Sequence, residues 1–397
     1  MTRTTFDFER VISPVSKDTF FASHYEKAGL RVHREDPGYY APILSTDRID
    51  EYLTTADPHA SEIMLVNAEV ETEIPSSEYT LRRGVLDIRR VYQLFAEGAT
   101  LVMPQLHRKV PELAGLCRAV EAEFHAPFQT NIYLTPPEAQ GFKTHYDTHD
   151  VFVLQVEGNK EWHVYDTPID LPLLGQKFDR EKYETVPESE TFLLQAGDLY
   201  YCPRGIVHNA RSTDTASLHI TFGLMAQTWS ELMFEAVAQV CLADPAFREN
   251  LPVGYASDGF DREPARAKLK DLLTRLCDSA ELDPLLDTFA ARFIAESPPH
   301  LRGQMAQVLE SNRLTVDSIV TPRESLIFHI AQEEDKVVLV HFNNRISFPS
   351  RVMPSLEALL ASDKGIRVRD APGELDEGGL LVLARKLVSE GLLTRAA

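Results

Sequence analysis

Two segments constrain this chain more than any others: HYD at 145–147 and GDLYYCPRGIVHN at 197–209. In the first, His145 and Asp147 stand two residues apart, so on a strand both side chains leave the same face. The second is punctuated by residues that dictate a backbone path. Gly197-Asp198 suits a turn, Pro203 stops a strand, and Gly205 lets the chain bend so that His208 points back into a barrel. Two histidines and one carboxylate hold a divalent metal and leave three coordination positions open, the donor set of non-haem Fe(II) oxygenases. Zinc accepts the same donors.

The sequence around these segments reads as short strands between turns. TNIYLTPP, DVFVLQVEGNKEWHVYD, ETFLLQAGD and SLHITFGL all lie within residues 1–228 and suggest a β-sandwich or barrel mixed with short helices. In the first of these runs, period 2 puts Asn131, Tyr133 and Thr135 on one face and Ile132 and Leu134 on the other. In NKEWHV, Lys160 shares a face with Trp162 and Val164, which a barrel would turn inward. An inward lysine is costly unless it meets an anion, such as a ligand carboxylate with Asn131 and Tyr133 beside it as donors. A lysine can also snorkel from a rim, and the pattern leaves both readings open. Among other histidines, His149 would lie roughly 13 Å from His145 on an extended strand, too far to share one ion. His219 could face the same cavity, but a hydrogen-bonded strand residue is the preferred reading. His107 and His163 have no spacing partner.

Beyond residue 228 the periodicity changes. Residues 229–310 carry apolar positions at three- and four-residue spacing, as in WSELMFEAVAQVCLA and LDPLLDTFAARFIAES, which predicts a helical region. Residues 311–397 mix strands such as KVVLVHF with two late helices around PSLEALLAS and GGLLVLARKLVSEGLL, a winged-helix-like order. That last region holds 11 Lys and Arg against 12 Asp and Glu, which argues against a DNA-reading role. The whole chain has a net charge of −20, so a basic partner is favoured over nucleic acid or anionic lipid. No apolar run approaches the length of a membrane span or a secretion signal. Cys117, Cys202, Cys241 and Cys277 are scattered without a CxxC pair, which fits a reducing compartment. The expectation is a cytoplasmic protein.

The spacing from Gly197 through Pro203-Arg204-Gly205 to His208 matches the second cupin motif. Together with NIYLTPPEAQGFKTHYDTHDVFVLQVEGNKEWHVYD, it resembles the JmjC-type ribosomal oxygenases, which are cupin-like 2-oxoglutarate-dependent protein hydroxylases. The runs FFASHYEKAGLRVHREDPGYYAPIL and LRRGVLDIRRVYQLFAEGATLVMPQLHR are similar to that family as well. The resemblance implies an α+β chain: a double-stranded β-helix (cupin, jelly-roll) JmjC domain over 1–228, a helical dimerisation region over 229–310 and a winged helix over 311–397. It implies Fe(II) on His145, Asp147 and His208, with 2-oxoglutarate and O2 as cosubstrates. It further implies Lys160 on the distal carboxylate, and Asn131 and Tyr133 close by. Gln105 and Gly223 would lie on the substrate side. Gly223 stands where histidine-modifying relatives tend to have serine, which leaves the target residue open. The metal carries the chemistry, so no side-chain catalytic residue beyond its ligands is expected. The expected substrate is a protein of the ribosome, and the expected assembly a homodimer. Alternatives are a biosynthetic peptide or small molecule as substrate, or a winged-helix regulator with the cupin as sensor.

Overall fold

The computed structural model of the chain describes residues 6–68, 73–183, 186–362 and 364–395. These form two compact units, one of residues 1–225, 299–326 and 349–397, the other of 226–298 and 327–348. The segment 311–397, which the sequence suggests is one module, is thus shared between units.

Ten strands build the sandwich of the first unit. They are β1 (Leu30–Val32), β2 (Met64–Val66), β3 (Thr100–Pro104), β4 (Phe128–Thr135), β5 (Asp150–Glu157), β6 (Asn159–Tyr165), β7 (Glu188–Gln195), β8 (Leu199–Cys202), β9 (His208–Ser212) and β10 (Ser217–Leu224). Seven lie in one sheet in the order β1-β8-β5-β10-β4-β3-β2, and three lie in a second, β7-β6-β9. Alternation along each strand decides what fills the space between the sheets. Val151, Val153, Tyr200 and Cys202 of the larger sheet meet Trp162, Val164, Phe192 and Leu194 of the smaller. The intervening Phe152 and Tyr201 point the other way, into a cluster with Phe8, Phe20 and Phe124 from the flanking helices. Both faces of β5 are therefore covered, which is why DVFVLQV reads as an unbroken apolar run.

Turn chemistry sets the strand ends. At Gly197, between β7 and β8, φ is +93°, and a Cβ would lie 2.1 Å from the Asp36 carbonyl. The neighbouring Asp198 carboxylate accepts from the backbone N–H groups of Gln195 and Arg34, and so ties the turn to the N-terminal segment.

The later strands are β11 (Ile319–Pro322), β12 (His329–Glu333), β13 (Lys336–His341), β14 (Asn344–Pro349), β15 (Ile366–Arg367) and β16 (Leu393–Arg395). In the first unit β11 lies between β15 and β16, accompanied by helices Met353–Ala361 and Glu377–Ser389. The second unit combines the β12-β13-β14 sheet with helices Trp229–Ala243, Glu263–Ser279 and Leu282–Glu296. Its first helix starts on a capping box: Thr228 accepts from the Glu231 backbone N–H, and the Glu231 carboxylate accepts from that of Thr228. Among the described residues no helix is long and apolar enough to cross a membrane.

Candidate metal centre

The chain brings the two motif segments together edge to edge. The His145 N–H donates to the His208 carbonyl at 3.0 Å, and the His208 N–H donates to that of His145 at 2.7 Å. The Gly205 N–H donates to the Asp147 carbonyl at 3.0 Å. One expectation is corrected here. His145 and Asp147 do not ride on a strand; residues 143–149 are irregular, and His145 makes a single isolated bridge to His208 before β5 begins at Asp150. The side chains converge because this bridge and the Gly205 bend place them, rather than by period-2 alternation. The same departure from a strand invalidates the extended-strand distance argument for His149.

One ligand atom each from His145, Asp147 and His208 lies within 4.8 Å of the others. The separations are 4.0 Å from His145 Nε2 to Asp147 Oδ1 and 3.8 Å from His208 Nε2 to Asp147 Oδ2. Each imidazole is oriented from behind. His145 Nδ1 lies 2.8 Å from the Lys143 carbonyl and His208 Nδ1 lies 3.0 Å from the Ile206 carbonyl. A donating Nδ1–H fixes the tautomer that leaves the Nε2 lone pair free for a cation. Burial works to raise the Asp147 pKa, but His145, His208 and His149 outweigh it and hold the carboxyl below its ordinary range. Burial, aided by His145 and opposed by Asp147, lowers His208 to about 4. Both groups are thus in the ligating protonation state near neutral pH.

These donors open onto a cavity of about 300 Å³ that Tyr133, Lys160, Trp162, His219 and Thr221 also line. Lys160 does not snorkel. It is 4% exposed, its Nζ donates to Thr135 Oγ1 at 3.0 Å, and among the described residues no carboxylate pairs with it. Burial alone lowers its pKa to about 7. A buried ammonium satisfied by one hydroxyl keeps two donors for an anion. An open N,N,O donor set and an uncompensated cation in one cavity fit a metal together with an anionic chelator.

Of the other expected site residues, Tyr133 lines the cavity, whereas Asn131, two residues earlier on β4, is not among the lining residues. Burial, then the Asp147 charge, raises the Tyr133 pKa, so the phenol stays protonated. Gln105 and Gly223 are not among the lining residues. Gln105 begins a short turn after β3 with φ +54°, its N–H donating to the Thr130 carbonyl. Gly223 instead accommodates His149: a Cβ there would lie 2.6 Å from two atoms of that imidazole. The preferred reading of His219 as a hydrogen-bonded strand residue is also corrected. Its Nδ1 is buried without a partner, and its ring stacks on Tyr133 at 4.7 Å. Sequence reasoning passed over Thr100 and Cys202 as cavity residues, and their strands carried no signal that could have singled them out.

This is a cupin-type β-sandwich with a two-histidine, one-carboxylate centre, and residues 104–232 match the JmjC domain family. The chain is 31% identical over 320 residues to ribosomal oxygenase 1 of Gallus gallus, covering 76% of this chain and 53% of that protein. It is 28% identical to the bifunctional lysine-specific demethylase and histidyl-hydroxylase of Drosophila mojavensis, covering 74% and 35%. It thus spans about half or less of these relatives' length. In fold it is similar to the Escherichia coli ribosomal oxygenase YcfD, with a TM-score of 0.52 at 17% identity over 96% of this chain and 98% of that one. A structure of YcfD in complex with cobalt and 2-oxoglutarate gives the same score at 15% identity, over 97% and 99%. Residues 104–232 thus carry a JmjC domain, and the chain is similar to the ribosomal oxygenases over about three quarters of its length.

Proposed function

We propose that this chain is an Fe(II)- and 2-oxoglutarate-dependent oxygenase that hydroxylates a side chain of a ribosomal protein. The observation that carries this reading is the shared cavity: an open His145-Asp147-His208 donor set beside a buried, unpaired Lys160. The relatives named ribosomal oxygenase support the substrate class, and the net charge of −20 suits a basic polypeptide by steering its approach.

Fe(II) with 2-oxoglutarate and O2 supplies oxidation of a C–H bond to an alcohol, coupled to decarboxylation of the 2-oxo acid. The chain's own residues do the rest. His145 and His208 would hold the metal through Nε2, kept in the right tautomer by the Lys143 and Ile206 carbonyls. Asp147 would complete one face and leave the other open. Lys160 would hold the cosubstrate's distal carboxylate, steadied by Thr135, which itself accepts from Thr100 at 3.2 Å. Tyr133, its ring packed against His219 and Phe142, would line the path between cosubstrate and target. Val151, Val153 and Trp162 supply apolar lining to the cavity. Gln105, after β3, and Gly223, on β10, would lie on the substrate side, a reading that the family resemblance alone supports.

We read the helices within 229–298 as a dimerisation region and the parts of 311–397 that lie in the first unit, 311–326 and 349–397, as a winged-helix-like module. The exposed apolar residues of helix Trp229–Ala243 and the helix–strand order of the last segment support these readings. A cytoplasmic location is consistent with four free cysteines.

The test is reconstitution with Fe(II), 2-oxoglutarate and O2, followed by mass spectrometry of ribosomal proteins with and without the enzyme. A gain of about 16 Da on one peptide, absent with Asp147→Ala, is expected. Succinate formation without any ribosomal product would redirect the substrate towards a biosynthetic peptide or small molecule.

A further inference from the structure

A second cavity lies behind the metal centre, on the far side of the segments that carry its ligands. It encloses about 440 Å³, more than the cavity of the triad, and the two share no lining residue. Along both segments the side chains alternate between them. Thr144 and Val207 line the second cavity, while their neighbours His145 and His208 line the first. The wall between is closed by Asn209, whose Nδ2 donates to Thr144 Oγ1 and to the Tyr165 hydroxyl, each at 3.0 Å. Tyr165 ends β6 one residue beyond the inward Val164, so it faces the outside of the smaller sheet. Phe178, Arg180 and Tyr183, from the excursion between β6 and β7, form another wall. That wall is pinned. Tyr146, buried between two of the ligands, donates to the Gln176 carbonyl at 2.7 Å and meets the edge of Phe178 at 5.2 Å. Phe178 in turn packs on Tyr183 at 5.7 Å.

The polar groups of this cavity suit an anion. Lys143, Arg180 and Arg211 line it, and none of its described lining residues is acidic, in a chain whose net charge is −20. Among the described residues neither arginine makes an ion pair. Arg211 spends one N–H on the Glu138 carbonyl at 2.7 Å, which aims the guanidinium without neutralising it. Tyr165 accepts from Asn209 and keeps its own O–H to donate. Phe178 and Tyr183 add two aromatic rings. We infer that this cavity is a second ligand site, for a small organic anion. Its carboxylate or phosphate would lie between Arg180 and Arg211, and its flat body against Phe178 and Tyr183. Guanidinium forks match both kinds of anion, and the volume is that of sites for small molecules. The inference stands apart from the 2-oxoglutarate reading, because neither Lys160 nor the triad lines this cavity.

The experiment is calorimetric titration of the full chain, with and without Mn(II) and 2-oxoglutarate. Adenosine monophosphate and benzoate are the probes, a flat ring joined to a phosphate or to a carboxylate. Adenosine and inorganic phosphate, each with only half of that chemistry, are the controls. At least one probe is expected to bind with Kd below about 1 mM, and both controls at least about tenfold more weakly. Which probe binds tells a phosphate ligand from a carboxylate one. Arg180→Gln and Arg211→Gln are each expected to weaken that binding about tenfold, and Arg211→Lys to weaken it less because the charge remains. Both side chains are exposed, so the variants keep the fold, and either one alone decides the matter. Saturation with Mn(II) and 2-oxoglutarate is expected to change the probe's Kd by less than about twofold. No binding of either probe at about 1 mM, an unchanged affinity in both Gln variants, or displacement by 2-oxoglutarate would overturn the inference. Inorganic phosphate bound as tightly as the monophosphate would mean an adventitious ion only, and would overturn it too. Failure of the wild-type protein to bind 2-oxoglutarate would overturn the proposed function and leave this site standing.

Discussion

Lys160 carries a charge whose cost depends on what shares its cavity. Without a ligand, burial lowers its pKa to about 7, so the side chain loses its proton as pH rises through neutrality. A bound carboxylate favours the ammonium and raises that pKa, so binding above about pH 7 must take up a proton. The affinity for 2-oxoglutarate is therefore expected to be flat at lower pH and to weaken as pH rises above about 7. Titrations in buffers of different ionisation heat would count the proton. A dissociation constant that stays level between about pH 6 and 9, with no uptake, removes the charge pair from the reading. Two glycines make a second contrast at this scale. Gly205 has φ +91°, and a Cβ there would lie 2.4 Å from the Ile169 carbonyl, a backbone atom that does not yield. Gly205→Ala is expected to cost more than about 2 kcal/mol and to weaken metal binding through His208. At Gly223 the obstacle is the end of the half-buried His149 side chain, which can swing away. Gly223→Ala is expected to change stability by less than about 1 kcal/mol. Urea unfolding of both variants checks the pair, and equal losses would refute the distinction.

At the scale of elements, the centre depends on how two loops are clamped. The buried Asp150, at the start of β5, accepts from the Arg204 N–H at 3.0 Å, from Arg204 Nη1 at 3.2 Å and from the Tyr201 hydroxyl at 2.8 Å. Arg204 also pairs with Glu26 at 2.6 Å. This joins the segment after Asp147 to the segment before His208 from the side away from the cavity. Arg204→Ala leaves Asp150 buried without its cation and is expected to cost about 3–5 kcal/mol. Chemical denaturation measures it, and a loss below about 1 kcal/mol would reduce the clamp to packing. Much of this assembly was legible beforehand. Pro203 and Gly205 act through their own stereochemistry, so a single sequence reveals the bend they make. Lys160 was readable as inward because Trp162 and Val164 share its face. The irregular path of 143–149 was not legible, because an HxD pair carries no local mark that separates a strand from a loop held by one bridge. His219 was misread for a related reason: whether a strand histidine finds a partner depends on Tyr133 and Trp162, which come from other strands. Gln105 came from the family resemblance alone, and its place beside β4 owes more to its backbone than to its side chain.

For the whole molecule, the open question of assembly turns on the helical unit. The helix Trp229–Ala243 buries only Ala236 and Val240, while Trp229 and Phe234 remain 74% and 73% exposed and Met233 53%. Leu269, Leu273 and Leu286 on the other two helices of that unit are also about half exposed. Helical periodicity made the existence of these helices plain, but which face meets a neighbour is decided by parts of the structure distant in sequence. The sequence alone thus left open whether the stripe is an internal seam. In the structure these side chains remain uncovered by the described residues of their own chain. Exposed apolar surface on this scale is costly in a soluble monomer and is normally covered by another subunit. A twofold dimer, the expectation from family resemblance, would cover it through one self-complementary patch, with an interface of order 2,000 Å² in total. Light scattering at micromolar concentration is expected to give twice the chain mass, independent of salt because the contact is apolar. Phe234→Asp with Met233→Glu places charge on the patch and is expected to yield a folded monomer whose donor triad still binds Mn(II), since those ligands lie in the other unit. A wild-type monomer, or a double variant that stays dimeric, would move the interface elsewhere.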